Sequence, residues 1–265
     1  MKRFPLPFRM YLLAAAALTL CATILRTLAL TTAFDADIGY FREGSPLVTA
    51  FYIIEGIALL AAFSLPFFVK RGTLPTGRPP LSLASLIATG IATLAAIAMA
   101  AILIAHIAVL SAPAILSVLC LFLLLATAIF FGFQFLAQNP PAKTLLLCGY
   151  GVILAAACLL SITYFDLYTP MNAPHKFSLH LALLSLMLYM LFELRILIGR
   201  PRPRGLGVLS AICFFLCATT GISNTIAFLA GIYNDVFALG IDLLLIAFAL
   251  YVGTRAVDPF LAKED

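Results

Sequence analysis

The sequence has no tryptophan, only three histidines and little charge, with Asp, Glu, Lys and Arg together making up 10% of its 265 residues. An average soluble domain is about 25% charged and roughly 45 to 50% apolar, whereas this chain is 64% hydrophobic. Folding hides only about three quarters of a chain's surface at this size, so a soluble fold would leave much apolar side chain in water. Soluble enzyme folds are excluded, and no polar stretch is long enough to form a domain outside a membrane. Without tryptophan, any interfacial aromatic belt has to use Tyr and Phe; Tyr40, Tyr164, Tyr168 and Tyr233 fall near one expected boundary. With only His106, His175 and His180 available, a zinc site would need all three to converge from separate elements, so no metal and no other cofactor is expected.

Catalytic templates are also missing. There is no Gly-x-Ser-x-Gly elbow, no His-Glu-x-x-His helix and no adjacent pair of glutamates. The six cysteines all lie inside apolar runs rather than in polar connections, where an oxidising compartment would favour disulfides, and they read as small core residues. Cys213 and Cys217 share a helix face, but no His or acid flanks them within a turn.

What the sequence does contain is a series of long apolar runs. Crossing about 30 Å of hydrocarbon takes about 20 apolar residues, and eight such runs cover roughly 10–31, 46–69, 82–107, 112–137, 144–165, 177–198, 206–230 and 235–254. The first follows Lys2, Arg3 and Arg9 as a signal peptide would, but its apolar part is too long and no small-residue cleavage site follows, so it is expected to stay as a span. Pro, Gly and polar residues mark most of the breaks. The expectation is an all-α polytopic bundle forming a single integral membrane domain over residues 1–265.

Basic residues orient it, because cytoplasmic loops collect Lys and Arg. One side carries Lys2, Arg3, Arg9, Lys70, Arg71, Arg78, Lys143, Arg195, Arg200, Arg202, Arg204, Arg255 and Lys263, while the other has only Arg42 and Lys176. Both termini are therefore expected in the cytoplasm, with the basic face against anionic lipid head groups and not nucleic acid. The net charge of +5 is on this reading a topology signal.

Three sequence features bear on internal organisation. Thr32-Ala33-Phe34-Asp35 and Thr163-Tyr164-Phe165-Asp166 are 131 residues apart, as are Thr89-Gly90-Ile91 and Thr220-Gly221-Ile222, and also Arg71 and Arg202. Either a regular, Ala- and Leu-rich chain produces such coincidences, or the chain is a parallel repeat of halves 1–140 and 141–265, with a cavity at their interface. Second, Ala84, Ala88, Ala92, Ala96 and Ala100 recur every fourth residue, a small-residue ridge that suits a central helix. Third, Thr219-Thr220-Gly221-Ile222-Ser223-Asn224-Thr225 puts a polar stretch in the seventh span, which either unwinds around a cavity or continues with back-bonded Ser and Thr.

Ionisable groups within spans cost at least about 2.5 to 3.5 kcal/mol each at the helix centre, so each needs a reason. At 1.5 Å per residue, Arg26 lies roughly 8 Å below the expected outer surface, and Glu55 and Asp242 roughly 10 to 14 Å below it. His106 and His180 sit within about one turn of the same surface, and Asn224 adds an amide there. Arg26 and Glu55, on a hairpin, are placed to form an ion pair, whereas Asp242 has no evident partner and is either a buried neutral acid or a group that handles a proton or cation. Glu193 and Arg195 are expected to snorkel to the inner interface or contact other helices. Pro170, Asn172 and Pro174 stiffen the loop 166–176, which is either a lid over an outer cavity with Asp166 and Asn172 on it, or a plain connection.

The segment Phe165-Asp166-Leu167-Tyr168-Thr169-Pro170-Met171-Asn172-Ala173-Pro174-His175-Lys176, followed by a span ending Glu193-Leu194-Arg195, resembles a pattern in uncharacterised bacterial polytopic membrane proteins. The resemblance covers about 30 residues and implies a multi-pass protein of a bacterial cytoplasmic membrane in which the fifth outer loop and sixth helix belong together; it implies no catalytic residue. Three functions fit: a transporter or binding protein for a small molecule or ion, with Arg26, Glu55, His106, His180, Asn224 and Asp242 along an outward polar cavity; a non-catalytic membrane subunit or scaffold with a protein partner or a second copy; and a lipid-acting enzyme.

Overall fold

The computed structural model describes residues 6–35, 38–68, 80–136, 141–166, 173–232 and 234–261. Eight helices long and apolar enough to cross a membrane make up almost all of it. They are α1 (Leu6–Thr32), α2 (Pro46–Phe68), α3 (Leu83–His106), α4 (Ala114–Leu136), α5 (Ala142–Tyr164), α6 (Pro174–Leu197), α7 (Pro203–Leu229) and α8 (Val236–Leu261). A ribbon of two-residue strands, β1 (Phe34–Asp35) and β2 (Tyr40–Phe41), pairs antiparallel between α1 and α2. The chain is an all-α bundle of an integral membrane protein. Helices are the form such a chain takes because lipid offers no partner to an unpaired N–H or C=O.

Local chemistry sets the helix ends. The Ser82 side chain caps α3 by accepting from the Ser85 N–H at 3.2 Å. Pro174 and Pro203 occupy the first turns of α6 and α7, where a missing N–H costs nothing. Gly199 (φ +71°) and Gly231 (φ +76°) terminate these two helices in the left-handed conformation, and the following N–H groups, of Arg200 and Ile232, reach back to Arg195 O and Ala227 O.

Short connections make the helices alternate in direction, so both ends of the described chain lie at one face, called the terminal face; the other is the hairpin face. Each of α3 to α8 packs on the next, and α8 returns to α3, which closes a ring. The α1–α2 hairpin leans on α7 from outside. Leu124, Val152, Leu159, Leu183, Leu244 and Phe248 fill the ring's middle layer around a void of only about 10 Å³. The two faces are therefore separated by packed apolar side chains.

Several sequence expectations change here. Ala88, Ala92, Ala96 and Ala100 are buried, but Ala84 is exposed, and α3 has only α4 and α8 as close neighbours. The helix with most neighbours is α7, which packs on α1, α2, α6 and α8. The α7 helix runs unbroken through Thr219 to Thr225, since Gly221 serves close packing instead of unwinding: a Cβ there would stand 2.7 Å from Asp242 O and 3.2 Å from Ile246 N. The neighbours also lack the symmetry of a four-plus-four repeat. Helix α6 packs on α7 while its counterpart α2 makes no comparable contact with α3, and α3 packs on α8 while α7 makes none with α4. Finally, α8 continues past Arg255 and Asp258, which a reading of apolar runs ends at about residue 254.

Candidate functional site

Four helices bring polar side chains together near the hairpin face. Arg26 lies six residues from the end of α1, Ser178 four into α6, Asn224 five from the end of α7 and Asp242 six into α8. At 1.5 Å per residue these are depths of about 6 to 9 Å, one common level. Arg26 and Asp242 are both 2% exposed and Asn224 is 1% exposed, so the group is enclosed by protein although it lies within the spans.

The contacts form a chain. Arg26 Nη2 donates to Ser178 Oγ at 2.6 Å and to Asn224 Oδ1 at 3.3 Å. Asn224 Nδ2 donates in turn to Asp242 Oδ1 at 3.0 Å. The amide thus stands between a guanidinium and a carboxyl, presenting an acceptor to one and a donor to the other. Ser178 accepts from Arg26 while its own hydroxyl donates to Pro174 O at 2.5 Å. The guanidinium also sits over the Phe51 ring of α2, 5.6 Å from its centroid, and a desolvated contact of this kind contributes about 2 kcal/mol. Next to the chain, Thr27 Oγ1 donates to Ser223 Oγ, which donates to Thr23 O, both at 3.2 Å. These bonds tie α1 to α7.

Glu55 is not in this chain. It is half-buried, one turn beyond Phe51 on α2, and makes no ion pair with Arg26 among the described residues. Hairpin geometry fixes the heights of the two residues but not their directions around each helix axis, and Arg26 turns toward α6 and α7.

A cavity of about 330 Å³ opens beside the chain at the hairpin end of the ring. Its walls come from the ends of α3 and α5, the starts of α6 and α8, and the α3–α4 connection, with His106, Asp166, His175, Lys176 and Asp235 as its ionisable members. Its floor is apolar, with Ile162, Leu179 and Phe237. His106 is held by Nδ1 against Ile102 O at 2.9 Å. Lys176 is 3% exposed and its ammonium donates to Asp166 O at 2.9 Å and Tyr164 O at 3.4 Å, which ties the start of α6 to the end of α5. His180 does not line the cavity; it faces Thr163 Oγ1 at 2.9 Å, from Nε2. His175 and Leu179, which line the cavity, flank Ser178 of the chain on α6. Asn172 lies outside the described residues, as do Tyr168, Tyr233 and Arg71.

Sequence reasoning reached Arg26, Asn224, Asp242, His106 and Asp166 but not Ser178, His175 or Lys176 as parts of one place. Those three sit in the first turns of α6, where polar residues ordinarily cap or meet the interface. At the terminal face it missed a second cluster of Gln134, Tyr251, Arg255 and Asp258 around Glu193. Glu193 is 4% exposed and contacts α8, the second of its two expected roles, whereas Arg195 lies over the Phe192 ring and turns to Arg200 O.

Comparison with protein-family models, with curated protein sequences and with solved structures finds no match to this chain.

Proposed function

We propose that the protein binds a small molecule or ion in the hairpin-face cavity, as a transporter or membrane-embedded binding protein, with the hairpin face outward and both termini in the cytoplasm of a bacterial cell. The observation that carries this reading is a cavity of about 330 Å³ that shares the start of α6 with the buried Arg26–Asn224–Asp242 chain: His175 and Leu179 line the one and Ser178 belongs to the other. That volume is at the lower end for small-molecule sites, which are mostly apolar with a few converging polar groups. A carboxyl and a guanidinium kept inside a membrane domain and spaced by an amide are costly unless they serve a purpose. The packed middle layer suits a binding state open to one face only. The basic terminal face then meets anionic lipid heads.

The test is purification of the full chain into lipid nanodiscs, followed by native mass spectrometry. The expected result is a small molecule or ion that is retained by the wild type and lost from Asp242→Asn. A stoichiometric protein partner with no retained ligand would replace this reading with that of a membrane subunit. Cysteines placed singly at Gly44 and Arg200 in a cysteine-free background test the orientation: an impermeant thiol reagent added outside should label the first and not the second.

A further inference from the structure

The second buried cluster, at the terminal face, has a feature that the outer chain lacks. Glu193 on α6 presents Oε1 to the Tyr251 hydroxyl, which donates to it at 2.5 Å, and to Arg255 Nε at 3.6 Å. Its other oxygen, Oε2, is buried and has no hydrogen-bond partner among the described residues. The Tyr251 hydroxyl carries one hydrogen, yet Gln134 Oε1 also lies 3.3 Å from it. Arg255 is closer to a second acid, for its Nη1 meets Asp258 Oδ2 at 2.5 Å. Asp258, 0% exposed, receives two more donors at Oδ1, the Ser85 hydroxyl at 2.7 Å and the Ser82 N–H at 3.2 Å.

Asp258 is therefore well satisfied and Glu193 is not. Among the described residues two carboxylates share one guanidinium, which leaves one negative charge in excess where uncompensated charge is most expensive. A bridging water would fill Oε2 but leave the charge. A single positive charge placed on Oε2 removes both deficits. A proton does so covalently. A sodium ion does so as a hard cation that prefers oxygen ligands.

We infer that Glu193 is a binding site for one monovalent cation, a proton or a sodium ion, exchanged with the terminal face. It is separate from the outer cavity and does not depend on that cavity's ligand. The groups facing it are Tyr189 on its own helix, Tyr251, Arg255 and Asp258 on α8, and the neutral Gln134 on α4. On the remaining neighbours, α7 brings Arg204 beside Gly205, which packs on Phe192, while α5 offers Gly149 beneath Leu194 and keeps Lys143 exposed. In a transporter, such a site would be the entry or exit point of a coupling ion.

Infrared difference spectra of the full chain in nanodiscs read the carboxyl directly. For a proton site, a protonated-carboxyl stretch should vanish as pH is raised in sodium-free buffer. For a sodium site, replacing potassium by sodium at constant pH should displace the proton and remove the same band. Either band must be absent from Glu193→Gln and present in Asp242→Asn. Thermal stability supplies a second readout: Glu193→Gln should lose the pH or sodium dependence that the wild type shows. Should that variant fail to fold, Tyr251→Phe must shift the band's frequency. The inference is overturned if no band responds to pH or sodium, if the responding band survives in Glu193→Gln, or if it is unmoved in Tyr251→Phe.

Discussion

The two buried polar clusters solve the same problem in different ways. At the hairpin face, the one guanidinium and the one carboxyl of the hydrogen-bonded chain are held apart by a neutral amide, Asn224, which accepts from the first and donates to the second. At the terminal face, two carboxylates converge on one guanidinium, and the shortfall lands on Glu193 Oε2. The first cluster joins α1, α6, α7 and α8 and adjoins a cavity; the second joins α3, α4, α6 and α8. A balanced chain beside open space is suited to a ligand that replaces one of its bonds, and an unbalanced one is suited to a single ion. Helix α8 carries an acid into each, about 24 Å apart along its axis for Asp242 and Asp258 at 1.5 Å per residue.

Removing charge should separate the clusters most sharply. Arg255→Ala strands Glu193 and Asp258 together, and it should destabilise the protein by about 3 to 5 kcal/mol, the scale for breaking a buried ionic group. Thermal unfolding in mild detergent would register this as a large drop in Tm or as loss of folded protein. A loss of under about 1 kcal/mol would mean that the terminal cluster is not held together by charge.

The next effect tests the amide spacer. Asn224→Leu keeps the volume but takes the donor from Asp242 and one acceptor from Arg26. A cost of about 1 to 3 kcal/mol is expected, from a buried group left without its partner. Retained ligand should fall as well. A fully stable Asn224→Leu that keeps its ligand would show that the guanidinium and carboxyl do not need a bridge, and the contrast with the terminal cluster would disappear.

The smallest effect concerns the bonds beside the chain. Ser223→Ala removes the Thr27 contact and the return bond to Thr23 O, at about 0.6 kcal/mol, the usual size of a hydrogen bond between helices in a membrane. It should leave ligand retention unchanged. If retention falls, the α1–α7 contact belongs to the site and is not only a fastening.

Sequence legibility followed the physics of each cluster. Arg26, Asn224 and Asp242 stand out because polar groups inside long apolar runs are costly and rare, and a count along each helix puts them at one level. Glu193, Arg255 and Asp258 are just as buried but lie near span ends, where charge is ordinary: the sequence puts Arg255 on the cytoplasmic side, leaves Glu193 between snorkelling and contact with other helices, and singles out nothing at Asp258. Continuation of α8 to Leu261 draws Arg255 and Asp258 inside the protein. The i,i+3 spacing lets Arg255 pair with Asp258 but does not announce their burial, because the other donors for Asp258 come from Ser82 and Ser85, 173 or more residues away.

The sequence by itself determined the solvent and the eight crossings, because a chain with 64% hydrophobic residues must sit in lipid and lipid allows an open backbone only as helices. It also determined depth, since rise per residue is fixed. Azimuth and neighbours were decided only by tertiary structure: Arg26 meets Ser178 and Asn224 and not Glu55, and the ridge of alanines sits on a side helix while Gly221 brings α7 against α8. Helices apolar on all sides carry no strong preference for which face turns inward, so close packing of particular side chains makes that choice.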